Sequence, residues 1–150
     1  MNALTIADGL AGRYLPANIT PPTGYHNIRH STARLPSNIP TSPWVLVTLP
    51  NGEVIVAPQE VHLEYHVLFH YAKYQADLAR DMTGMLLWIG VLLEATFGAY
   101  ELGLNATEHV KSALPNQFNF DVFTYGGNEF YGWDITVEVI LRDMGWTFTP

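Results

Sequence analysis

Cysteine is absent from the chain. A disulfide framework, a thiol nucleophile and a thiolate metal site are therefore excluded, and the fold does not depend on an oxidising compartment. Charge is scarce too: 14% of the 150 residues are charged, against roughly 25% in ordinary globular chains. A chain so lightly charged is expected to bury an unusual share of its surface, most simply against partner subunits. Basic residues are few, 7 against 14 acidic, for a net charge of −7. That disfavours a phosphate-gripping module, which needs a basic patch. It leaves room for nucleic acid to slide past a repelling surface.

Long hydrophobic runs are also missing. The greasiest stretch, GMLLWIGVLLEATFG, is broken at Glu94, short of the roughly 20 apolar residues of a membrane span. The N-terminal MNALTIADGLAGRYL has an acidic residue early and no basic leader before an apolar run, so no signal peptide is expected. The expectation is a soluble protein with no membrane partner. Sequence motifs for dinucleotides, P-loops, zinc proteases and hydrolase elbows do not occur.

What is present is 48% hydrophobic content over the length of one domain. Leu4, Ala7, Leu10 and Ala11 recur at helical spacing within residues 3–14. Six prolines then fall between Pro16 and Pro43. Proline fixes φ and lacks an N–H, so no long regular element crosses this stretch. It reads as an arm, and its apolar residues, among them Ile19, Ile28 and Ile39, are expected to pin it to its own domain or to a neighbour. WVLVTL reads as a strand covered on both faces. Asn51-Gly52 signals a turn, with EVIVA as the returning strand.

Val61 to Tyr71 alternates with a period of two. Val61, Leu63, Tyr65, Val67, Phe69 and Tyr71 share one face; His62, Glu64, His66, Leu68 and His70 share the other. This predicts a strand with one core face. Histidines four apart on a strand lie about 13 Å from one another, too far to hold one ion at zinc–nitrogen distances of about 2.1 Å. The polar face is expected to meet water or a partner subunit. Residues 75–97 predict the main helix, with Leu78, Met82, Met85, Ile89 and Leu92 as its stripe and apolar surface on most sides after Gly84. A weak element is expected over 106–114, ending at Pro115. FNFDVFTY and WDITVEVIL, joined by YGG, predict a hairpin. The aromatic C-terminus, RDMGWTFTP, is expected to tuck into a groove or meet a partner.

The order predicts an α+β fold: a mostly antiparallel sheet with one long helix across it, a short N-terminal helix and an extended proline-rich arm. Residues 1–43 form the helix and arm, and 44–150 the α+β domain. Candidate acids yield no active site. Asp77 and Asp81 suit the charge preference of a helix start, and Asp121, Asp134 and Glu138 read as solvated hairpin carboxylates. Catalytic, cofactor and metal residues are expected to be none. Arg29, His30 and Arg34 are a basic cluster on the arm, suited to an acidic neighbour.

TARLPSNIPTSPWVLVTLPNGEV resembles the opening of tail terminator (tail completion) proteins of long-tailed bacteriophages, within the neck and tail-tube connector superfamily. The alternating strand, the helix containing LLWIGVLLEATFG and the closing FTYGGNEFYGWDITVEVIL follow in the same order, over residues 10–142. The resemblance implies a structural virion protein, not an enzyme, assembled in the host cytoplasm into a homohexameric ring at the tail–neck region. Such a ring caps the tail-tube protein, stops its polymerisation, meets a neck or head-completion protein, and lets DNA pass through its lumen without sequence preference. Arg29, Arg34, Trp88, Tyr131 and Trp133 are the structural or interface candidates. The arm before Trp44 is longer than the resemblance predicts, which would suit a neck or head–tail adaptor ring. A small α+β enzyme and a monomeric peptide-binding module are the alternatives outside virions.

Overall fold

The computed structural model describes residues 2–56, 59–74, 78–97, 102–103 and 109–142. Helix α1 spans Ala3–Gly12, a 3-10 turn spans Pro16–Asn18, and strand β1 spans His30–Thr32. Strands β2 (Trp44–Val47), β3 (Asn51–Ile55) and β4 (Glu60–Lys73) precede helix α2 (Leu78–Phe97). The hairpin of β5 (Val110–Tyr125) and β6 (Asn128–Arg142) follows. The fold is α+β: a mixed, mostly antiparallel six-stranded sheet in the order β1-β2-β4-β6-β5, with α2 packed across one face. Only the β1–β2 pair is parallel among the described strands.

Alternation builds the centre. Val61, Leu63, Tyr65, Val67 and Phe69 of β4 are buried beside Trp133, Ile135, Val137, Val139 and Leu141 of β6. The two strands run antiparallel from Glu60↔Arg142 to Lys73↔Phe130. Met85, Trp88 and Leu92 of α2 cover one part of this face; Ile6, Leu10 and Tyr14 of the N-terminal segment join the same cluster. Each such side chain buried contributes about 1.5–3 kcal/mol.

Asn2 caps α1, its side chain accepting from Leu4 N and Thr5 N at 3.1 and 3.2 Å. Ser31 Oγ donates to Ala11 O at 2.6 Å, satisfying a carbonyl at the other end of α1. Arg13 donates through Nε and a terminal nitrogen to Ala95 O, at 3.1 and 2.7 Å. It thereby caps the last turn of α2 with a cation, which the dipole favours. Tyr14 and Thr96 share a hydrogen bond beside it.

The arm is pinned to its own domain. Ile19 and Ile28 enter the main core, and Ile39 packs with Leu46 and Phe130 on the opposite sheet face. The Tyr125 hydroxyl donates to Pro36 O. Trp44–Val47 is therefore covered on both faces, as its apolar run predicts.

Four details depart from the sequence reading. Asn51-Gly52 opens β3 instead of turning the chain back. Strands β2 and β3 run in one direction along the same edge of the 14-residue β4, bridged by Thr48 N donating to His66 O at 2.9 Å. A partner that long offers ladder bonds to both segments, so Leu49 and Pro50 bulge out and the reversal comes after Ile55. Gly52 is needed because a Cβ there would meet His62 O at 2.5 Å.

Second, β5 does not stop at Pro115 but runs through it, with register shifts at Val110/Ser112 and Pro115/Gln117. An edge strand tolerates proline at a bulge. The expected element at 106–114 is thus the start of β5, its residues 106–108 lying outside the described set.

Third, the buried stripe of α2 is Asp81, Gly84, Met85, Trp88, Leu92 and Thr96, whereas Leu78 and Met82 are exposed. The start of the predicted helix, 75–77, lies outside the described residues. Fourth, His70 is not on a wetted face. It is 1% exposed, against Phe123 and Phe130 at ring-centroid distances of 5.0 and 5.5 Å. The hairpin itself is as predicted but longer, turning at Gly126 and Gly127 with φ of 58° and 78°, the left-handed pair of a type I′ turn. The segment 143–150 lies outside the described residues.

Candidate functional site

Three features have the composition of a site: the polar face of β4 and β6, a small cleft beside α2, and two apolar surfaces at opposite edges of the sheet.

On the polar face His66 stands between two carboxylates. Its Nδ1 lies 2.7 Å from Asp134 Oδ1 and its Nε2 3.2 Å from Glu64 Oε1. Burial lowers its pKa, but the hydrogen bonds and charges of Asp134 and Glu64 outweigh it, and the imidazole is held above its ordinary value. His62 Nε2 lies 3.2 Å from Glu60 Oε1, and Arg142 pairs with the other oxygen of Glu60. Glu64 sits directly across from Glu138, a like-charged pair that a sheet resists. A hollow of about 280 Å³ beside them is lined by Asn51, Glu53, His62, Glu64 and Glu138. Among the described residues no three His, Cys, Asp or Glu side chains converge to hold a metal. The arrangement can store and release protons and repel anions.

The cleft, about 190 Å³, lies between the arm and α2, lined by Tyr25, His26, Ser42, Tyr71, Asp81 and Trp88. Gly84 admits two of these side chains against α2: a Cβ there would run into the Tyr71 hydroxyl and ring and Tyr25 Cε1. Burial, then the neighbouring Asp81 charge, raises the Tyr71 pKa. Asp81 is itself engaged by Arg80 at 3.3 Å. Trp88 Nε1 has no partner among the described residues. Among the described residues the cleft holds a donor and two phenols but no acid–base pair poised on a nucleophile.

The apolar surfaces are larger. A groove of about 580 Å³ runs between α1 and the β2–β3 bulge, lined by Ala3, Leu4, Ala7, Leu35, Val47 and Leu49. Leu35 and Leu49 are 72% and 86% exposed on its rim. At the other end of the sheet β5 shows Phe118, Phe120 and Val122, each exposed, on the face that carries α2. Phe118 and Phe120 lean on Trp133 with centroids 5.7 and 6.3 Å away. A shallower furrow links Phe118 to Leu93 and Phe97 of α2, and Met82 and Leu86 continue that stripe along the helix. No described strand pairs with the outer edge of β5.

The residues singled out from sequence divide cleanly. Trp88, Tyr131 and Trp133 are interior side chains at 0%, 1% and 8% exposure; Trp133 Nε1 donates to Met85 O at 2.9 Å and locks β6 to α2. Arg29 and Arg34 are exposed on the arm. Arg34 pairs with Asp8 at 3.2 Å, and Arg29 shares a groove with Lys73. The structure does not bring these five together. Asp134 departs from the solvated reading, being half-buried against His66. The aromatic row Phe118, Phe120 and Val122 was legible as strand alternation, but its exposure among the described residues was not.

No protein-family model matches this sequence, and no curated protein matches it.

Proposed function

We propose that the chain is a structural virion protein of a long-tailed bacteriophage. Copies of it form a ring, a hexamer by the family resemblance, at the tail–neck junction. The ring caps the tail tube, ends its polymerisation, joins it to the head or neck, and leaves a lumen for DNA. Catalysis has no part in this reading.

The observation that carries it is the pair of unlike apolar surfaces at opposite edges of one sheet. A surface that cannot pair with itself but can pair with a different surface of the next copy generates rings when the rotation closes. The order of elements agrees with the resemblance in the sequence: arm, buried strand, long strand, helix, closing hairpin. The carboxylates Glu53, Glu64, Asp134 and Glu138 gather on one sheet face, a surface along which DNA phosphates would be repelled and stay mobile. A neck or head–tail adaptor ring is the second reading, favoured by the length of the arm between Leu15 and Trp44.

Purified chain added to polymerising tube subunits of the same virus tests the proposal. Tube growth should stop, with labelled chain at one end of each tube. Tubes of unchanged length, with label absent or scattered, would remove the terminator role.

A further inference from the structure

We propose that the proline-rich arm is an acid-released latch: protonation of His70 lifts residues 33–42 off the sheet while the strands and helices stay folded. The inference does not rest on the ring-forming reading.

The latch lies on the sheet face away from α2. His70 stands within it, paired with Trp44 of β2 on one side and Gly132 of β6 on the other. Phe123, Tyr125 and Phe130 surround the imidazole at centroid distances of 5.0, 6.4 and 5.5 Å. Ile39 of the arm closes the layer. It forms one cluster with Leu46 and Phe130, and Trp44, Leu68 and Tyr125 pack against that cluster. These side chains flank His70 in the ladder, and the residue is left 1% exposed.

The arm is the weakest part of this cover. Strands β2, β4, β6 and β5 are joined by ladder bonds. Among the described residues no backbone–backbone hydrogen bond ties 35–42 to the sheet. What holds the segment is Ile39, the Tyr125 hydroxyl donating to Pro36 O, and the lie of Ser37 and Asn38 over the hairpin turn at Gly126. Side-chain contacts of this kind open at lower cost than a paired strand. The same layer encloses Trp44 Nε1, which has no partner among the described residues. Opening lets water reach that donor too.

Little on this face compensates a charge on His70. On β4 its neighbours are His66 and Lys73, which add only positive charge. Asp134 of β6 is taken by His66 at 2.7 Å, and Glu129 falls on the other face by alternation. Asp121 of β5 lies across Gly132, about 10 Å from His70 by strand spacing, with its Oδ1 accepting from Val122 N at 2.7 Å. His30 of β1 stacks on Trp44 at 4.7 Å, and β2 carries no charged residue. Residues 35–42 carry none either, and Arg29, which shares a hollow with Ile39 and Lys73, is a further cation. Burial outweighs the carbonyls of Leu68, 3.2 Å away, and Trp44, and holds the imidazole below its ordinary value. Proton uptake therefore favours the conformation that wets His70. Lifting the arm wets it without breaking a ladder. The released arm leaves Trp44, Leu46 and Phe130 uncovered, an apolar patch shown in acid and hidden near neutrality.

Methyl-labelled isoleucine gives a local probe on the whole chain. Ile39 reads the latch, and Ile6 and Ile135 read the main core. NMR spectra are followed from about pH 8 to about pH 5. The Ile39 methyl should move to its random-coil position below pH 6.5 while Ile6 and Ile135 keep theirs. The open-to-closed ratio should rise by up to about tenfold per pH unit, as for one proton. His70→Phe should hold Ile39 in its neutral-pH position throughout, and His66→Gln should leave the transition in place. Tyr125→Phe, which loses the bond to Pro36 O, should bring release on at higher pH. Ile39 moving only together with Ile6 and Ile135, a transition that survives His70→Phe, or one that His66→Gln abolishes would overturn the proposal. So would ring resonances of His70 that titrate at the free-histidine value with Ile39 still in place, a result that needs no variant.

Discussion

Gly132→Ala tests the packing that holds both surfaces in place. Gly132 lies in β6 between His70 of β4 and Asp121 of β5, beside the register shift at His70/Ala72. A Cβ there would fall on the carbonyl oxygen of Phe69, 2.8 Å from its carbonyl carbon and 2.9 Å from Phe123 Cε2. The first obstacle is backbone of a central strand and cannot swing aside like a side chain tip. Overpacking of a core costs about 1–3 kcal/mol and occasionally more; with backbone as the obstacle we expect about 3 kcal/mol. At about 2–4 °C per kcal/mol for a chain of this size, the melting midpoint should fall by about 6–12 °C. Gly90→Ala is the matched control. Gly90 is exposed in the interior of α2, and a Cβ there meets nothing within 4 Å. Alanine should stabilise the helix by up to about 1 kcal/mol. Thermal unfolding followed by circular dichroism reads both. A Gly132→Ala midpoint equal to that of the wild type, or a fall for Gly90→Ala as large as for Gly132→Ala, would refute the reasoning.

Further predictions concern titration and caps. His66 is raised from 6.5, so its contribution to stability is complete below that value and fades as pH rises through the folded value. His66→Gln should therefore cost more in urea midpoint below 6.5 than at about pH 8, and an equal cost at both would contradict the ion-pair account. His70 is lowered from 6.5, mainly by burial; its contribution is present above 6.5 and is lost as pH falls through the folded value. His70→Phe should flatten the acid limb of the stability profile, and an unchanged limb would count against burial of a neutral imidazole. Tyr14, pushed up to about 12 by burial, should add no phenolate absorbance at about pH 10.5, where a free phenol is mostly ionised; an absorbance lost at that pH on Tyr14→Phe would show it is not enclosed. Arg13→Met should cost about 1.5–3 kcal/mol through the lost cap on Ala95 O, with amide exchange accelerated in the last turn of α2; exchange unchanged there would remove the cap.

The strands were the most legible part of the sequence, because alternation states directly which residues share a face. Val61 to Tyr71 and Trp133 to Leu141 predict their strands and core faces without knowledge of partners. Helix α2 was less so: on a nearly all-apolar helix, hydropathy cannot choose a face. The choice was made by Gly84, which admits Tyr71, and by Thr96, which bonds Tyr14. Local turn chemistry at Asn51-Gly52 lost to a tertiary partner long enough to pair with both β2 and β3. The His66–Asp134 pair joins residues 68 apart in sequence, and Arg13 reaches Ala95 over 82; no local pattern encodes either. The interface candidates show the same limit from the other side. Trp88, Tyr131 and Trp133 are large aromatics that composition cannot assign to core or surface, and the fold buries all three.

The most direct measurement is electron microscopy of lysates after the gene is deleted from its parent phage. The account predicts overlong or unjoined tail tubes beside filled heads, with normal tails restored when the wild-type chain is supplied. Tails of normal length lying free beside filled heads would replace the terminator with a neck adaptor. Intact, infectious particles would contradict the structural role altogether.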